Sequence, residues 1–100
     1  MNFEIAPKST EIKANWDDAR LYCFSLNIGG KTGWRLPTKD ELSEIYKSGN
    51  DFSSSYYWAS VEIANILADA LSFRDGSRYA HGKSNDNIRV RAVRDLKDNS

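Results

Sequence analysis

The sequence predicts an α+β fold in which two helices are followed by several strands, with the helices packed on a small antiparallel sheet. Three observations carry this. Trp16, Ala19, Cys23 and Leu26 recur at i, i+3, i+7 and i+10, one face of a helix. Thr38 and Glu41 stand three residues apart ahead of Leu42, the signature of a capping box. After residue 55 the chain turns to aromatic runs and alternating apolar positions broken by turn residues.

The elements follow in order. Phe3 and Ile5 alternate with Asn2 and Glu4, which predicts a short strand. Pro7 to Lys13 reads as a polar connector. Asn15 caps the first helix, and Asp17 and Asp18 suit the positive end of its dipole. Leu21, Tyr22 and Phe24 widen its apolar surface, so cover is expected on more than one side. Gly29-Gly30 is expected to end it. Trp34-Arg35-Leu36-Pro37 is an extended, aromatic-anchored approach to the second helix, because Pro37 drives Leu36 out of helical conformation. That helix is expected over Thr38 to Tyr46, with Leu42, Ile45 and Tyr46 inward and Ser48-Gly49-Asn50 as its stop.

Tyr56 to Val61 reads as a strand, and Leu67, Leu71 and Phe73 mark another, to about Arg74. Ile88, Val90 and Ala92 alternate with Arg89, Arg91 and Val93 in a last strand. Between them, Asp75 to Asn87 is expected to be a long loop, with a turn at Asp75-Gly76. Long loops on rigid scaffolds are common places for function. Asp95 to Ser100 is a polar tail.

One hundred residues make one domain with a modest core, in which the large side chains of three Trp, five Tyr and four Phe matter disproportionately. Fourteen basic and fourteen acidic side chains cancel, so no global field draws the chain to nucleic acid or to a membrane. The single Cys23 cannot form an intramolecular disulfide, which argues against a stapled secreted scaffold. Met1 to Pro7 has neither the basic nor the apolar region of a signal peptide, and no apolar run reaches membrane-spanning length. The expected compartment is the cytoplasm, with attachment to a virion as the alternative.

No reaction is named by these residues. Cys23 and His81 are the only pair resembling a nucleophile and base, and Cys23 lies on the inward stripe with no orienting third group. One Cys and one His do not make a zinc site. Asp75, Asn85, Asp86 and Asn87 offer oxygens to calcium, but Asx turns explain them more simply. The expectation is no catalysis, no metal and no cofactor. The basic side chains Arg74, Arg78, Lys83, Arg89, Arg91 and Arg94 suggest phosphate contacts, but Asp69, Asp75, Asp86, Asp95 and Asp98 dilute them. The three Trp read as core, and Arg35 and Glu41 as framework partners.

Five segments occur in one order: Trp16-x-x-Ala19-x-x-x-Cys23-x-x-Leu26, Gly29-Gly30, Trp34-Arg35-Leu36-Pro37-Thr38-x-x-Glu41-Leu42, Tyr57-Trp58-Ala59-Ser60 and Val90-Arg91-Ala92-Val93-Arg94. That order resembles the family named after the C-terminal domain of bacterial collagen-like adhesins, found in bacterial and phage proteins. The likeness runs from about Trp16 to Arg94. Met1 to Lys13 is shorter than the N-terminal strand region that family members often carry. The resemblance implies a variant of the C-type lectin-like fold, related to the formylglycine-generating enzymes and to phage receptor-binding variable domains. It implies a compact platform whose variable loops bind. The oxidase chemistry of the enzymatic relatives uses two cysteines, and this chain has one. Arg91 and Arg94 match framework positions, where internal ion pairs or stacking on Trp34 or Trp58 are expected.

The expected site is the long loop and its neighbours: Arg74, Asp75, Arg78, Tyr79, His81, Lys83, Asn85 and Asp86, with Tyr56 beside them. Arg and Tyr are frequent hot-spot types at protein interfaces. The expected partner is a host protein, and the expected role that of a phage or prophage inhibitor of a defence component. The alternatives are a glycan or surface receptor bound by a tail or adhesin domain, and nucleic acid.

Overall fold

The computed structural model describes residues 2–49 and 51–96. Asn50 of the helix stop and residues 97–100 of the polar tail lie outside the described residues. The chain opens with β1 (Phe3–Ile5), a 3₁₀ turn (Lys8–Thr10) and β2 (Ile12–Lys13). Helix α1 (Trp16–Ser25), β3 (Trp34–Arg35) and α2 (Lys39–Ser48) follow. The second half is strand: β4 (Tyr56–Ala64), β5 (Leu67–Ser72), β6 (Arg78–Gly82), β7 (Arg89–Val90) and β8 (Val93–Asp95).

The α+β class holds, but one antiparallel sheet becomes two sheets. A three-stranded antiparallel sheet has the order β1-β8-β3, and a five-stranded sheet the order β2-β7-β4-β5-β6. The larger sheet is mixed, because β4 and β7 run parallel. The expected last strand serves both sheets. It breaks at Arg91-Ala92, where the backbone of Ala6 takes over: Ala6 N–H donates to Ala92 O (2.9 Å) and Arg91 Nε donates to Ala6 O (2.6 Å). The supposed connector Pro7 to Lys13 contributes β2, with Ile12 opposite Val90. Its apolar signal is one residue, too little for a pattern to show.

Tyr57-Trp58-Ala59 is buried without interruption because β4 has core on both faces. Trp58 packs with Trp16, Ala19 and Cys23 of α1 and with Trp34 and Val90. Tyr57 and Ala59 pack with Leu42 and Ile45 of α2, and with Leu71, Phe73 and Val93. Alternation along β4 therefore places the two helices on opposite sides of it. Leu42 and Ile45 are fully buried, and burying such side chains stabilises by roughly 1.5–3 kcal/mol each. The indole N–H groups are used as well: Trp16 donates to Ala59 O (2.9 Å) and Trp58 to Ala14 O (2.8 Å).

Helix α1 has the expected cap, with Asn15 Oδ1 accepting from Asp18 N–H at 2.9 Å. Its end differs. It stops at Ser25, and Gly29-Gly30 instead form the turn between Ile28 and Lys31, at φ of +59° and +84°. Nor is it covered on several sides. Leu21 is 66% and Phe24 82% exposed. At 3.6 residues per turn Leu21 lies opposite the Trp16, Ala19 and Cys23 stripe, while Phe24 and Tyr22 flank it on its two sides; Tyr22 is half-buried there, with its hydroxyl donating to Thr10 O. Helix α2 has the full capping box: Glu41 N–H donates to Thr38 Oγ1 (3.1 Å) and Thr38 N–H to Glu41 Oε1 (2.8 Å). Among the described residues, no helix is long and apolar enough to cross a membrane.

Candidate functional site

The expected long loop holds a short strand at its centre. Arg78–Gly82 forms β6, antiparallel to β5, with Tyr79 opposite Ala70 and His81 opposite Ala68. Its sequence hides it. Arg78-Tyr79-Ala80-His81-Gly82 has no β-branched residue and no apolar alternation, because neither face of this edge strand is deep core. Two short turns flank it.

The first turn is fixed by local chemistry. Ser77 N–H donates to Asp75 Oδ1 (3.0 Å), and Arg74 N–H to Ser72 Oγ (3.2 Å). Gly76 has φ +77°, and a Cβ there would stand 2.7 Å from the Tyr46 ring. Glycine is therefore required where this turn lies on α2. In the second turn Asn85 N–H donates to Gly82 O (3.0 Å) and Asn87 N–H to Asn85 Oδ1 (2.9 Å). Asp75 and Asn85 thus make Asx turns, and Asp86 is exposed beside them.

The site residues separate into three groups. Tyr56, Tyr79 and His81 converge on one face, over Ala68 and Ala70 of β5, whose small side chains leave room for rings. The Tyr56 centroid is 5.5 Å from Tyr79 and 4.8 Å from His81, and Trp58 closes the base 6.3 Å from His81. Tyr79 is the exposed member, at 43%. Burial lowers the His81 pKa below its ordinary value, and its Nε2 has no hydrogen-bond partner among the described residues. Arg78 projects from the opposite face, by strand alternation, with Nε 4.0 Å from the carboxylate of buried Asp69. Arg74 is exposed in the first turn and makes no ion pair among the described residues.

Lys83 leaves the site. Its ammonium pairs with Glu62 and lies 4.8 Å over the Trp16 ring, and its carbonyl accepts the Trp16 N–H (3.0 Å). It is a clamp between the second turn and α1.

The other basic side chains are framework. Arg91, 3% exposed, bonds to Glu11 (3.3 Å) and Asp51 (2.8 Å) and stacks over Phe52 (4.7 Å), not over a Trp. Arg89 shares Glu11 (3.0 Å), and the Tyr57 hydroxyl donates to the same carboxylate (2.8 Å). Burial pushes the Tyr57 phenol up to about 12. Arg94 bonds to Glu4 (2.5 Å) and to Thr32 O (2.9 Å). Arg35 grips Glu41 with two nitrogens (2.7 and 2.8 Å) and reaches Asp95 (2.6 Å), which holds the Glu41 carboxyl below the usual range. Burial raises the Cys23 thiol to about 12, so little thiolate forms near neutral pH.

One surface escaped the sequence. A groove of about 510 Å³ runs between α1 and β3, lined by Arg20, Leu21, Phe24, Trp34, Leu36 and Ser60 among others. Its signal was present in Leu21 and Phe24, which lie off the inward stripe of α1.

The profile of the Lcl C-terminal domain matches residues 4–94. The chain belongs to the Lcl C-terminal domain family. The matched span opens well ahead of Trp16. It takes in β2 and nearly all of β1, so the Lcl C-terminal domain includes the N-terminal segment that pairs with β7 and β8. No curated protein matches the chain.

Proposed function

We propose that this Lcl C-terminal domain is a non-enzymatic, C-type lectin-like binding module that engages a protein partner through the β6 margin. One observation supports this above others. Arg35, Arg89, Arg91 and Arg94 are all held by carboxylates of the framework, whereas Arg74 and Arg78 have at most the loose contact to Asp69, and Tyr79, packed edge-on to Tyr56, stays 43% exposed. Tyr79 offers amphipathic contact area, and the two guanidiniums offer charge-assisted bonds to carboxylates or carbonyls. Because Arg78 and Tyr79 lie on opposite faces, the partner has to grasp the margin of the sheet rather than rest on one face. The setting we propose is a phage or prophage inhibitor that covers a surface of a host defence protein.

Affinity capture from bacterial lysate tests this, using the wild-type chain and an Arg78→Ala/Tyr79→Ala double variant of unchanged circular dichroism. The expected result is a single species enriched by the wild-type chain and lost with the variant. Equal recovery by both removes the β6 margin from the function.

A further inference from the structure

We infer that the open edge of β6 pairs with β6 of a second copy of this chain, joining two five-stranded sheets across a two-fold axis at Ala80. Lys83 N–H donates to Ile66 O and Ser72 N–H to Ser77 O, both at 2.8 Å. With the register Leu71 to Arg78 and Leu67 to Gly82, the ladder bonds to β5 fall at Ser77, Tyr79, His81 and Lys83. The N–H and C=O of Arg78, Ala80 and Gly82 then point away from the sheet. Among the described residues only Gly82 O has another partner, the Asn85 N–H. Among the described residues no strand pairs with this edge, and Arg78, Tyr79, Ala80 and Gly82 are exposed along it.

The edge is guarded only by the shortness of the strand and by the charge of Arg78. It has no proline and no bulge, and its outward-bonding positions carry Arg78, Ala80 and no side chain at Gly82. No atom lies within 4 Å of where a Cβ on Gly82 would stand. An antiparallel two-fold centred on Ala80 sets Ala80 against Ala80, Arg78 against Gly82 and Tyr79 against His81. No like charges face each other, and the aromatic face of one copy meets that of the next. The pairing gives about four hydrogen bonds that compete with none already made. The formal net charge of zero removes long-range repulsion between copies. The Arg78 and Tyr79 side chains stay on the faces of the joined sheet, but pairing covers the backbone margin between them, so a partner that grasps this margin competes with the second copy; sedimentation reads the pairing and lysate capture reads the partner, each without the other.

Sedimentation velocity on the full chain tests it. An interface this small is weak, so loading concentrations up to roughly 1 mM are required. The wild-type chain is expected to shift from monomer toward dimer with concentration. Ala80→Pro removes an outward N–H while leaving the ladder to β5 intact, and is expected to weaken association about tenfold or more. Ala80→Cys gives a positive readout that does not depend on loss. Directly opposed residues at a hydrogen-bonded pair have Cα atoms about 5.5 Å apart, within disulfide reach. Mild oxidation is expected to cross-link Ala80→Cys rapidly and Ser84→Cys slowly, with buried Cys23 silent in both. A wild-type chain that stays monomeric throughout, equal association of wild-type and Ala80→Pro, or equal cross-linking at both cysteine positions overturns the inference.

Discussion

Arginine does opposite work in two regions of this molecule. Around Glu11, the guanidiniums of Arg89 and Arg91 are drawn inward, and Arg91 is closed off from solvent with Asp51, Phe52 and the Ala6 carbonyl around it. At the β6 margin, Arg74 and Arg78 reach outward, with one loose contact to Asp69 between them. The difference is where the counter-charges lie. Glu11 is supplied by the segment that carries β2, laid against β7, so the arginines of β7 and the bend after it meet a carboxylate in the fold. Among the described residues, strand β6 has a strand neighbour on one side only, and the Asp69 carboxylate beneath Arg78 makes the one ion pair at this margin. A basic residue is framework or surface according to its neighbours in space, which its own type does not disclose.

The contrast is broken most severely at Arg91. Arg91→Met leaves the buried Glu11 carboxylate short of a partner, and is expected to cost about 3 kcal/mol in urea unfolding, the low end for a disrupted buried pair because Arg89 and Tyr57 remain. Pairing it with Glu11→Gln should recover part of that loss, since the stranded charge is gone. A cost for Arg91→Met below that of an ordinary surface change would mean that the inner network is ornamental.

Acid sharpens the comparison next. Arg35 lowers the folded pKa of Glu41 below its ordinary 4.5. That stabilisation is present above the unfolded value and is lost as pH falls through the lower folded one. Glu41→Gln should therefore flatten the acid limb of a stability profile below about pH 4.5. At neutral pH it should cost only about 1 kcal/mol, because Gln can still complete the capping box. An unchanged acid limb would show that the Arg35 pair does not couple to folding.

The smallest expected effect is at the outer arginines. Arg74→Ala and Arg78→Ala should each change unfolding free energy by no more than about 0.5 kcal/mol. A loss matching that of Arg91→Met would make the β6 margin framework too, and would remove the basis of the proposed function.

Local chemistry was legible residue by residue. Asn15, Thr38 and Glu41 write their caps within four residues, and the Asp75-Gly76 turn needs only a carboxylate, a glycine and the Tyr46 ring beneath it. The Trp16, Ala19 and Cys23 stripe declared its buried face because helical periodicity is a property of the chain itself. The candidate site was legible in its residue types but not in its form. Strand β6 lacks a pattern because an edge strand outside the core needs none, and so it passed for a loop. The internal engagement of Lys83 is not legible locally, because its partners, Glu62 and Trp16, lie far away in sequence.

The starts of the helices, their N-caps, the aromatic core and the family are written in the amino-acid order, because each of these is encoded over a few residues or in a fixed series of them. Only the tertiary structure decided which arginines turn inward, that one apolar run divides between two sheets at Arg91-Ala92, and that β6 stands at an open edge. Those outcomes depend on which segments meet in space, through backbone hydrogen bonds and paired charges that no short stretch of sequence contains.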